Sequence, residues 1–117
     1  MAEQLITIGE KEVKFKITGS TPLMYLAAFG TDFLSDFMKL SNELNSDKGL
    51  QSAMPIYQMA WIMAKKADNN VPQLEDWLDS FEEGFPVFEV LEELIPLIQA
   101  NMESKNAKVK ATASKKK

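Results

Sequence analysis

The chain has 117 residues and a net charge of −4, and it contains no His, Cys or Arg, so all thirteen of its cationic side chains are lysines. No imidazole can therefore move a proton near pH 7, no thiolate can attack a substrate or bind zinc, and no guanidinium can clamp a phosphate. These absences point to a binding protein that acts through its surfaces, and the length fits one domain of roughly 100 to 150 residues.

Reading from the N-terminus, Leu5-Ile6-Thr7-Ile8 and Val13-Lys14-Phe15-Lys16-Ile17 flank a short Gly9-Glu10-Lys11 connection. The second run alternates apolar residues with lysine, so residues 4–17 are expected to form a β-hairpin with one apolar face. Two strands alone are marginal in water. The Val13, Phe15 and Ile17 face must pack on the chain's own helices or recruit a neighbouring chain, and packing on its own helices is the simpler reading.

Thr21 followed by Pro22 supplies an N-cap and a proline at the first helical position, opening a short helix over residues 22–29 that Gly30 can close in the left-handed conformation. Thr31-Asp32 caps a second helix, residues 32–44, whose Phe33, Phe37, Leu40 and Leu44 fall on one side. After a polar linker, Ser52 and Pro55 mark the start of a third helix over residues 52–67. Gln58 is the only polar residue between positions 53 and 64, and a helix apolar on every side belongs in an interior. Ile56, Tyr57, Met59, Ala60, Trp61 and Met63 are thus the central core candidates. Met59 and Met63 also suit an adaptable binding groove, with core filling the simpler role.

Asp68-Asn69-Asn70 lacks the glycine and the later glutamate of a calcium loop and reads as a turn. Pro72 opens a fourth helix, residues 72–82, with Leu74, Trp77, Leu78 and Phe81 in one stripe and Glu75, Asp76, Asp79 and Glu82 opposite. A fifth helix, residues 86–103, has a seam of Val87, Leu91, Leu94, Ile98 and Met102, with Pro96 on its polar side, where a bend is expected rather than a break. Residues 105–117 hold six lysines and little apolar surface, which predicts a disordered tail. The fold class expected is α+β, mainly α: one globular domain over residues 1–104, an N-terminal hairpin followed by about five helices, and a basic tail.

Residues 1–104 carry seven lysines against all seventeen carboxylates, a net −10, while the tail carries +6. Such a body repels a phosphate backbone, so nucleic acid can meet only the tail. The longest nearly apolar run, 53–64, falls short of the ~20 residues a bilayer requires, and the start of the chain has no signal-peptide pattern, so no membrane contact is expected. A soluble protein of a reducing, intracellular compartment is the expectation. Acid pairs such as Asp76/Asp79 and Glu92/Glu93 read as solvated helix faces, and neither a phosphate loop nor a nucleophile motif is present. The sequence suggests no enzyme, catalytic residue, cofactor or metal ligand.

Trp77, Phe81, Phe85 and Phe88 crowd into twelve residues, and most are expected in the core. This is still more large aromatics than one corner of so small a domain ordinarily needs, so some are expected in an exposed or intersubunit patch. The candidate partner and self-association residues are accordingly Val13, Phe15 and Ile17 on the hairpin, with Trp77, Phe81, Phe85 and Phe88 at the aromatic corner.

A hairpin, then "FGTDFLSDFMKL", "MPIYQMAWIMAKKADNN" and "PQLEDWLDSF" in that order, resembles the tail assembly chaperones of long-tailed bacteriophages, especially those of Gram-positive hosts. The likeness covers residues 4–103 in order and character rather than through one diagnostic motif. It implies a non-enzymatic chaperone in the host cytoplasm that coats the tape measure protein, helps recruit tail tube subunits and leaves before the virion matures. It also implies self-association into an open oligomer or spiral, and often a longer product made by ribosomal frameshifting near the lysine-rich end. An intersubunit contact between the hairpin edge and the aromatic corner, on different surfaces, would be heterologous and need not close. The rival reading is a small intracellular regulatory module that binds one partner helix, or an acidic mimic of DNA, for which a fixed monomer or dimer is expected.

Overall fold

A computed structural model of the protein describes the backbone of residues 2–116 and the side chains of residues 3–101. Strand β1 (Ala2–Ile8) pairs antiparallel with β2 (Lys11–Ile17) across a tight turn in which Gly9 takes φ 64°, a value glycine reaches at little cost. The register sets Ile6 opposite Val13 and Gln4 opposite Phe15, and paired residues share a face of the sheet. Ile6, Ile8, Phe15 and Ile17 are therefore buried together and Val13 packs against them, while Glu3, Leu5, Thr7, Glu12 and Lys14 face outward.

Five helices follow: α1 (Thr21–Phe29), α2 (Phe33–Leu44), α3 (Met54–Ala67), α4 (Leu74–Asp79) and α5 (Val87–Lys116). The α+β, mainly α class expected from the sequence is the architecture found. Helix α3 lies along β2, α5 along β1, and α1 and α2 close over α3. The hairpin's apolar face is thus covered by the chain's own helices. Among the described residues, no helix is long and apolar enough to cross a membrane.

The apolar run of α3 lies at the centre, with Ile56, Met59, Ala60, Ile62, Met63 and Ala64 all buried. Met59 and Met63 fill core space. Tyr57 and Trp61, expected in the centre, are half-buried instead. Each is amphipathic and sits at the margin, where the Trp61 Nε1–H donates to the Pro72 carbonyl at 2.7 Å.

Local chemistry explains most helix boundaries. Asp32 caps α2 by accepting the Ser35 N–H at 2.8 Å, and Gly30 closes α1 at φ 76° with its N–H donating to the Leu26 carbonyl. Thr21 is not the cap expected for α1: it is the first helical residue, fully buried, and its hydroxyl accepts the Thr18 N–H at 2.8 Å. Helix α3 begins at Met54, two residues later than predicted, with Ser52 Oγ accepting the Met54 N–H.

Helix α4 is also shorter than the predicted 72–82. Val71 to Gln73 lie outside it, leaving the Pro72 carbonyl free to receive Trp61, and at the far end Ser80 Oγ donates to the Trp77 carbonyl at 2.6 Å. Helix α5 continues through Pro96, which is exposed, so its missing amide hydrogen bond falls at the solvent side. The α5 backbone runs past the expected end at 103 to Lys116, through alanines and lysines of high helix propensity. The disordered tail expected over residues 105–117 is thus helical backbone through Lys116, and the expectation for Met102 concerns a side chain outside the described residues.

Candidate protein-binding surfaces

The hairpin face and the aromatic corner, expected on different surfaces, meet inside the molecule. Phe15 approaches Trp77 edge to face with ring centroids 6.4 Å apart, and Trp77 packs on Phe81 at 5.1 Å and Phe85 at 5.4 Å. Tyr57 of α3 meets Phe85 at 5.8 Å, and the Lys11 ammonium stands 5.3 Å above the Phe81 ring. Phe15, Ile17, Trp77 and Phe81 are buried, and Val13 and Phe85 are half-buried against them. Of the seven candidate contact residues only Phe88, 63 % exposed, presents its ring to solvent. The aromatics are numerous because this corner joins the hairpin, α3, α4 and the entry to α5.

Exposed apolar surface occurs elsewhere. On α1, Leu23 is 68 % and Leu26 is 47 % exposed, with Ala27 beside them at helical spacing; on α2, Leu34 and Met38, four residues apart, also face solvent. Helix α1 is apolar on almost every side, so packing one side on α3 leaves the others bare. The signal was present in TPLMYLAAF, whose pattern is apolar all round like that of α3. Whether such a helix is central or peripheral is decided by what covers it.

A polar junction holds this layer in place. The Tyr25 hydroxyl donates to Asp36 Oδ2 at 2.7 Å and lies 3.1 Å from Gln58 Oε1, while the Thr31 hydroxyl donates to the same Asp36 oxygen at 2.8 Å. Tyr25 is completely buried, and edge-to-face contacts with Phe29 and Phe33 flank its ring. Burial, reinforced by the Asp36 carboxylate, pushes the phenol well above its ordinary value, so it serves as a permanent hydrogen-bond donor. Lys66 of α3 adds a tie to Ser20 Oγ at 2.7 Å.

A second surface is set by charge. Residues 1–66 contain seven lysines and seven carboxylates, whereas residues 67–104 contain ten carboxylates and no lysine. The negative charge of the body therefore belongs to its C-terminal third. Glu75, Asp76, Asp79, Glu82, Glu83, Glu89, Glu92 and Glu93 are all exposed. Where α5 passes β1, Leu5, Thr7, Pro86, Glu89, Glu92 and Glu93 line a shallow groove, and the Gln4 amide donates to Glu93 at its edge.

Among the described residues, no group of three or more Asp, Glu, His or Cys is placed to hold a metal ion, and every buried side-chain nitrogen or oxygen has a hydrogen-bond partner. No protein-family model, curated protein or solved structure matches this chain.

Proposed function

We propose that this protein is a non-enzymatic assembly chaperone of the phage-tail type, which holds apolar helical segments of the tape measure protein, brings tail tube subunits to them, self-associates and is released before the virion matures. The observation that carries the reading is the uncovered apolar surface of α1 and α2, Leu23, Leu26, Leu34 and Met38, on a domain whose hairpin and aromatic corner are already packed. The resemblance of residues 4–103 to that family supports it. Leucine and methionine side chains adapt to varied apolar partners, which suits a long client with many unlike helical segments. A host-cytoplasmic site of action follows from the same reading.

The reading is tested by co-expression with tape measure fragments and pull-down, alongside light scattering over a concentration series. Capture by wild type, weakened by Leu23→Ser with Met38→Ser at unchanged melting temperature, is the expected result. Strict monomer behaviour at high concentration together with no capture of fragments overturns it and favours a regulatory module.

A further inference from the structure

The order of charge along the chain is a neutral first part, a block of −10 over residues 67–104, and a block of +6 over residues 105–117. Opposite charges so divided attract, but the shape of α5 decides which copies meet. The negative groove lies at the first turns of α5, beside β1, and the lysines lie at its other end. At 1.5 Å per residue, Lys108 stands about 28 Å along the axis from Glu89. While α5 stays helical, the lysine end cannot fold back to the groove of its own chain.

The groove also offers apolar contact. Leu5 is 54 % exposed on its wall, and Phe88, 63 % exposed, stands one helical turn from Glu92. Its carboxylates Glu89 and Glu92 are both exposed to solvent. The lysine block places Val109 between Lys108 and Lys110, an apolar residue flanked by cations. A groove with an apolar wall and an acidic helix face is matched by a segment of that composition.

We infer that the groove between β1 and α5 receives the lysine-rich C-terminal segment, residues 105–117, of a second copy of this chain. The inference rests on the self-association in the proposed function and supplies its contact. Because groove and segment are different surfaces, each copy offers one of each to its neighbours and the contact is heterologous, so copies add in a row. Exposed charge pairs are individually weak and screened by salt, so the association is reversible.

The test is a charge exchange on the full chain, followed by sedimentation at about 50 mM and about 500 mM salt. One variant carries Glu89→Lys and Glu92→Lys, leaving Glu93 with its Gln4 partner; the other carries Lys105→Glu, Lys108→Glu and Lys110→Glu. Each alone is expected to associate about tenfold more weakly than wild type at low salt, and mixing the two restores association, because the unaltered tail of the groove variant meets the unaltered groove of the tail variant. Wild-type association lost at high salt is also expected. Melting temperatures verify the fold, and the tail variant stands as the independent arm if the groove variant unfolds.

Association that neither variant weakens overturns the inference, as does a mixture that stays dissociated or a wild type that is monomeric at low salt. Loss of nucleic-acid binding as the sole effect of the tail variant overturns it too, by assigning the lysines to a different partner. Capture of tape measure fragments by a wild type whose association ignores both variants removes this contact and leaves the chaperone reading standing. Restored association without fragment capture does the reverse.

Discussion

Phe15 of the hairpin and Trp77 of α4 meet edge to face, ring centroids 6.4 Å apart at 78°, and this contact ties the first supersecondary unit of the chain to the last third of the fold. It also explains how two strands survive without a third. Their apolar face is buried by α3, α5 and the aromatic corner, so the hairpin draws its stability from tertiary packing.

Removing the Trp77 ring should therefore uncouple the hairpin from the helices. Trp77→Ala is expected to cost about 3 to 5 kcal/mol, the range for emptying a buried aromatic site. Phe88→Ala, at an exposed position, should stay within about 0.5 kcal/mol of wild type. Chemical denaturation of the two variants side by side measures the contrast, and similar losses in both would move the core.

Trp61 stands at the margin rather than the centre, and its stability effect should be correspondingly smaller. Trp61→Phe keeps a ring against Phe29 but loses the donor to the Pro72 carbonyl, for an expected cost of about 1 to 2 kcal/mol. Trp61→Ala should reach about 2 to 3 kcal/mol, below the value for a fully buried ring. The same denaturation series checks both.

Tyr25 carries the pH dependence. Its folded pKa is raised above the unfolded value of about 10, so its contribution to stability is fully present below pH 10 and is lost as pH rises from there through the folded value. Alkaline unfolding monitored with phenolate absorbance should show Tyr25 ionising only as the fold opens. Tyr25→Phe should flatten that slope and cost about 1 to 2 kcal/mol near neutrality, because Asp36 retains Thr31 and Gln58 loses its hydroxyl partner.

The α1–α2 corner depends on two local devices. Asp32→Ala removes the side-chain acceptor for the Ser35 N–H and should cost about 1 kcal/mol. Gly30→Ala meets open space but forces a β-carbon into φ 76°, at about 1 to 2 kcal/mol. Thermal melts of the single and double variants test whether these small costs add. A loss below about 0.3 kcal/mol for either would show that its corner is held by packing alone.

The sequence by itself determined the fold class, the order of hairpin and helices, and the inward side of those elements whose apolar and polar residues separate into faces, β2, α2 and α4. Strict alternation has only one way to place Phe15 and Ile17 on one face, and an aspartate before Phe33 or a glycine after Phe29 acts within a few residues. The acidic side of α4 and the Glu92/Glu93 side of α5 were equally legible, since charged side chains remain in water whatever packs behind them. The tertiary structure decided what covers what. Apolar residues carry no address, so which of Trp77, Phe81, Phe85 and Phe88 were core and which contact stayed open until β2 was laid against them. The same ambiguity hid Leu23, Leu26 and Met38, whose exposure follows from the peripheral position of α1 and α2. It also fixed which end of α5 lies beside β1, and so separated the acidic groove from the lysine block of its own chain.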